Sequence, residues 1–106
     1  MHKFTDQAGG WIGWADRILE EPGGRSTWHY HNSSDTFVYV MSGSITVSFG
    51  LGSEDIISAS AGTFLTIPSG TIHRETIGEQ SRFEAFVIRI GGLPETIEVD
   101  GPHVQK

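Results

Sequence analysis

Apolar and polar residues follow short runs of period two, cut every few residues by glycine or proline. The clearest run is Thr36-Phe37-Val38-Tyr39-Val40-Met41, with Thr36, Val38 and Val40 on one face and Phe37, Tyr39 and Met41 on the other. β-Branched and aromatic residues fit a pleated, half-buried surface, so this stretch is predicted as a strand. Ser42-Gly43 closes it, and residues 44–49 return as its hairpin partner. The same pattern predicts strands over 25–31, 54–59, 63–67, 71–77, 82–90 and 95–99. Turns are expected at Asn32-Ser33-Ser34-Asp35, Gly50-Leu51-Gly52 and Pro68-Ser69-Gly70, where short polar side chains, glycine and proline favour chain reversal. Residues 11–20 are ambiguous. Residues 15–20 have helical propensity, but Trp11-Ile12-Gly13-Trp14 does not and Pro22 blocks extension, so we read a strand that ends at Pro22-Gly23-Gly24. Residues 1–10 are expected to form a loosely attached arm and 101–106 a tail, leaving 11–100 as one domain. Strands of this length without a long helix make an all-β sandwich or small barrel.

Composition narrows the partners. At 106 residues there is room for one domain of roughly 100–200 residues and no second. Seven basic against thirteen acidic residues give a net charge of −6, which disfavours nucleic acid and anionic membrane surfaces as partners. No window approaches the roughly 20 apolar residues of a spanning helix, and the opening Met1-His2-Lys3-Phe4-Thr5-Asp6 lacks an apolar signal core. The absence of cysteine excludes a disulfide framework, thiolate catalysis and cysteine-held zinc, and fits a cytoplasmic location. Any metal must be held by nitrogen and oxygen.

The histidines carry the candidate chemistry. His29 and His31 lie two apart on a predicted strand and share a face, about 6–7 Å apart at the backbone. Their imidazoles can lean onto one ion at about 2.0–2.2 Å each; a hydrogen-bonded or surface pair would show the same spacing. His73 is the third candidate. His2 and His103 are expected to be solvated near the termini.

Gly23-x5-His29-x-His31, with Gly43 closing the next strand, resembles the first sequence motif of the cupins, and Gly62-x5-Pro68-x-Gly70-x2-His73 resembles the start of the second. The two motifs run from Gly23 to about Ile77, over half of the chain. The resemblance implies an antiparallel jelly-roll β-barrel with the three histidines pointing inward, a divalent metal and a homodimer. Two positions depart from the pattern. The first motif usually carries Glu where this chain has Thr36, one residue after Asp35, and the second usually carries Asn where it has Ile77. Either a bulge at Asn32–Asp35 turns Asp35 to the metal, or the ligands are three histidines alone; the latter is preferred, because without a bulge a one-residue slip points the side chain to the opposite face.

Three neutral imidazoles would leave a bound ion its full double charge. Iron(II), manganese, nickel, copper and zinc all accept such ligands. On the face of His73 stand Glu75 and Ile77. An interior Glu75 would be desolvated, its pKa raised, and suited to moving a proton as a catalytic residue; the alternative is a rim ion pair with Arg74, Arg82 or Arg89. Thr36, Val38, Val40 and Ile77 are expected to line a pocket for a small-molecule ligand, with Phe86, Ile88 and Ile90 as a further apolar row. Trp28, Tyr30, Phe37, Tyr39 and Met41 are expected outside, where a homodimer interface would cover them. The function expected is a metal-dependent small-molecule enzyme with dioxygenase-type chemistry. The alternatives are a sugar or uronate isomerase or lyase and a non-catalytic ligand-binding cupin.

Overall fold

The computed structural model describes residues 2–5, 12–49, 55–91 and 96–101. In chain order the strands are β1 (His2–Thr5), β2 (Ile12–Glu20), β3 (His29–His31), β4 (Ser34–Ser42), β5 (Ser44–Phe49), β6 (Asp55–Ser60), β7 (Phe64–Ile67), β8 (His73–Ile77), β9 (Phe83–Gly91) and β10 (Thr96–Glu98). They form two five-stranded sheets, β1-β2-β9-β4-β7 and β10-β3-β8-β5-β6, antiparallel throughout. Every connection from β2 onward passes from one sheet to the other except β5–β6, as a jelly roll requires. No helix of the described residues is long and apolar enough to cross a membrane.

Residues 2–5, expected in a loose arm, instead pair with 12–15 as an edge strand. The turn before β4 is shorter than expected. Ser34 and Asp35 already pair with Gly91 and Ile90, so only Asn32 and Ser33 lie between β3 and β4. The turn expected at Gly50–Gly52, the side chain of His2, and His103 lie outside the described residues.

The inner faces follow strict alternation. On β4, Ser34, Thr36, Val38 and Val40 are buried, while Asp35, Phe37 and Met41 are exposed. On β9, Phe83, Ala85 and Val87 point inward. With Trp14, Leu65 and Ile67 from the same sheet and Ile45, Val47, Ala59 and Ile77 from the other, they form one core between the two sheets. Each buried Val, Leu, Ile or Phe side chain of this core contributes about 1.5–3 kcal/mol. Gly43 makes the β4–β5 turn at φ +79°, and a β-carbon there would lie 2.6 Å from the Arg82 carbonyl oxygen.

This register corrects the expected pocket wall. Phe86 and Ile88 lie on the outer face of β9, 45% and 36% exposed, because the inward places belong to Phe83, Ala85 and Val87. The external aromatics also divide between two surfaces. Phe37 and Met41 are on the outer face of the β4 sheet, and Tyr39 stacks there on Phe64 at 4.6 Å between ring centroids. Tyr30, on β3 of the opposite sheet, and Trp28, just before that strand, are half-buried, Trp28 beneath the Arg74 guanidinium.

Candidate metal centre

β3 and β8 pair antiparallel with His29 directly opposite His73, and His31 follows two residues on along the same inward face. All three rings are buried. Ring centroids lie 4.3 Å apart for His29 and His73, 5.2 Å for His29 and His31, and 5.5 Å for His31 and His73. One ring nitrogen from each falls within 4.8 Å of the other two.

Backbone carbonyls orient two of the rings. The His29 Nδ1–H donates to the Thr27 carbonyl at 2.7 Å, and the His73 Nδ1–H donates to the Thr71 carbonyl at 2.8 Å. Each acceptor lies two residues upstream of its ring. Donation from Nδ1 fixes the tautomer that leaves the Nε2 lone pair for a cation, a common arrangement in histidine metal sites. His31 Nδ1 stands 3.4 Å from Thr96 Oγ1, and its Nε2 is buried with no hydrogen-bond partner. An orphaned buried acceptor is costly and calls for a ligand. Burial, then the Arg89 guanidinium and the neighbouring imidazoles, lower the His31 pKa to about 4, which keeps the ring neutral at neutral pH. The donor set therefore fits a divalent ion with nitrogen ligands.

Glu75 shares the inward side of β8 with His73. Its Oε1 lies 3.1 Å from His73 Nε2 and 3.7 Å from His29 Nε2. The expected rise in the Glu75 pKa is not found. Burial pushes it upward, but the hydrogen bond from His73 and the fields of His73, His29 and Arg89 bring it below the usual carboxylate value. Among the described residues Glu75 forms no ion pair with an arginine.

Asp35, the other candidate ligand, points away. The β4–β9 pairing is regular from Ser34 to Val40, with its irregularity between Val40 and Ser42, so no bulge turns Asp35 inward. Its Oδ1 accepts the Ser69 N–H at 2.9 Å on the exposed side. Thr36 faces inward instead, and its Oγ1 accepts the Arg89 Nε–H at 3.1 Å. Arg89 was not singled out from sequence as part of the site. Trp14, Arg89, Thr36 and Ile67 stand in one register row across four strands, with the guanidinium 4.7 Å from the Trp14 ring centroid.

Two openings flank this constellation. One, of about 380 Å³, is walled by Val47, Phe49, Leu65, Ile67 and Pro68 and reaches His73. The other, of about 210 Å³, is lined by Glu20, Arg25, Ser26, Ile77 and Glu75 among others. Between them a cavity of about 40 Å³ touches Thr36, Val38, Glu75 and Arg89. Val40, expected in the pocket wall, is instead fully buried in the core and lines none of these three spaces.

The comparisons agree with the geometry. No curated protein matches the chain. In structure it is similar to an uncharacterized conserved protein with a double-stranded β-helix domain from Klebsiella pneumoniae, with TM-score 0.70 and 16% identity over 87% of this chain and 76% of that one. It is also similar to an oxalate oxidase, with TM-score 0.68 and 23% identity over 85% of this chain but 46% of that one, so it spans under half of that enzyme's length. The polyketide cyclase RemF from Streptomyces resistomycificus aligns with TM-score 0.65 and 20% identity over 92% of this chain and 68% of its own. At these identities the likeness is one of fold. A family model described as a cupin domain matches residues 17–89, a span that contains all three histidines, and the chain belongs to the cupin family.

Proposed function

We propose that the protein is a divalent-metal enzyme acting on a small molecule, with His29, His31 and His73 as the protein ligands and dioxygenase-type chemistry as its leading form. The observation that supports this most directly is the convergence of three buried imidazoles, two with Nδ1 tied to backbone carbonyls and one with an unpartnered Nε2. An ion held there would polarise the oxygen atoms of a bound substrate, and iron would add redox chemistry toward dioxygen. The protein's own part is positional and protic. Val38, Leu65 and Ile67 keep bulk water from the ligand side. Glu75 Oε1, beside His73 Nε2 and in the lining of the polar opening, is placed to relay a proton from a substrate to solvent. A second reading, a uronate isomerase or lyase, is favoured by the interior guanidinium of Arg89, which suits a substrate carboxylate.

The reading includes a cytoplasmic homodimer. The absence of cysteine supports the location, and the exposed Phe37, Phe64, Phe86 and Ile88 on one outer sheet face support the association. The decisive experiment is elemental analysis of protein purified without a chelating tag, followed by oxygen-electrode assays of the iron-loaded form on enolisable diketones, phenols and 2-oxo acids. About one metal per chain, lost in His31→Ala, together with oxygen uptake supports the oxygenase. Bound zinc or manganese with no uptake moves the assignment to isomerase or lyase.

A further inference from the structure

The two sheets bring unlike chemistry to the cavity. One presents imidazoles and Glu75; the other presents Thr36 and Arg89, with Trp14 next to Arg89 in the same register row. Arg89 lies on the inner face of β9 in phase with Phe83, Ala85 and Val87, yet its one side-chain hydrogen bond goes to the neutral hydroxyl of Thr36. Among the described residues no carboxylate forms an ion pair with it. Glu75 acts on it only through space and is already engaged by His73. A partly buried guanidinium without an anion is an expensive arrangement, and its planar fork matches a carboxylate. Trp14 beneath it carries a second donor, Nε1–H, that is buried and makes no hydrogen bond. Ser34, one inward place along β4 from Thr36, has a buried Oγ in the same condition. Arg89 itself lines the cavity, with these two unsatisfied groups buried close to it on the neighbouring strands.

We propose that the cavity takes a small organic carboxylate, its carboxyl group held by Arg89 above Trp14 and its body extending along Val47, Leu65 and Ile67. Glu75 shares this cavity but is engaged by His73, and Arg89 bonds only the neutral Thr36, so the ligand supplies the carboxylate that pairs with the guanidinium. The cavity of about 40 Å³ beside Arg89 admits a group of only a few atoms, while the larger opening walled by Val47, Leu65 and Ile67 accepts a short apolar body. The class is a short-chain acid with an apolar substituent, and an oxygen next to the carboxyl group would face the imidazoles. This inference rests on the metal-centre reading but is independent of whether the chemistry is oxygenation or isomerisation.

Titration calorimetry of the cobalt(II)-loaded protein with 2-oxoisovalerate and its neutral amide tests it. The acid is expected to bind at least tenfold more tightly than the amide. Arg89→Gln is expected to abolish that preference with cobalt stoichiometry unchanged, and Trp14→Phe to reduce it. Equal binding of acid and amide by the wild type, or an intact preference in Arg89→Gln, overturns the proposal. Should Arg89→Gln fail to fold, Arg89→Lys must weaken the acid selectively, and equal weakening of both ligands counts against the assignment. A wild type that takes up no cobalt refutes the metal centre instead. The same preference, and its loss in Arg89→Gln, is then read on the metal-free protein, where its absence overturns the carboxylate site as well.

Discussion

At the residue scale His31 is the most exacting member of the site, because it is buried with an unpartnered Nε2 and resists protonation. Its folded pKa of about 4 lies below the ordinary value of 6.5. Above pH 6.5 the ring is neutral in both folded and unfolded chains, so it adds no pH dependence. As the pH falls from there to about 4, the unfolded chain accepts a proton that the folded one refuses, and stability declines. The loss reaches at most about 3 kcal/mol. Glu75, with its lowered carboxyl pKa, adds a loss of the same sign further into acid. Urea unfolding of the metal-free protein across this range should show the decline, and His31→Leu should flatten its upper part; a flat wild-type profile would refute the assignment. The three histidines were legible from sequence because strand periodicity and motif spacing carry them. Arg89 was not, because only the pairing of β9 with β2 and β4 shows that its side chain turns inward. The lowered Glu75 pKa was equally hidden, since it depends on imidazoles delivered by another strand.

At the scale of elements, β4 and β9 show what alternation can and cannot reveal. On β4 the contrast of small or branched residues against large aromatics disclosed the facing of Val38 and Val40 correctly. On β9 both faces are apolar, Phe83, Ala85 and Val87 against Phe86, Ile88 and Ile90, so period two carries no contrast and leaves open which row faces inward. The Asn32–Asp35 stretch misled for a different reason. Each of its residues favours turns, yet pairing with Gly91 and Ile90 draws Ser34 and Asp35 into the ladder, where propensity yields to tertiary context. The hairpin at Gly43 has little tolerance. Gly43→Ala combines a left-handed backbone with a close approach to the Arg82 carbonyl and should destabilise the fold by roughly 2 kcal/mol or more. A thermal midpoint unchanged from wild type would contradict this account of the turn.

At the scale of the whole molecule the β4 sheet leaves an apolar outer surface. Phe64 is 71% exposed and stacks on Tyr39, while Phe37 and Ile88 are neighbours in the same ladder. An isologous pair of such faces would bury these rings around a twofold axis. Phe64→Glu would then place like charges near that axis, and at micromolar concentration it should sediment as a monomer where the wild type sediments as a dimer. A monomeric wild type would remove the dimer from the reading. The two openings separate traffic in a way a single mouth could not. Glu75 lines the side bounded by Ser26 and Arg25, where its own N–H donates to Ser26 Oγ, while His73 meets the aliphatic side. A molecule lodged among Val47, Leu65 and Ile67 would therefore stopper the greasy doorway yet leave Glu75 in touch with solvent at its back, so the carboxylate could be recharged while the guest is still seated.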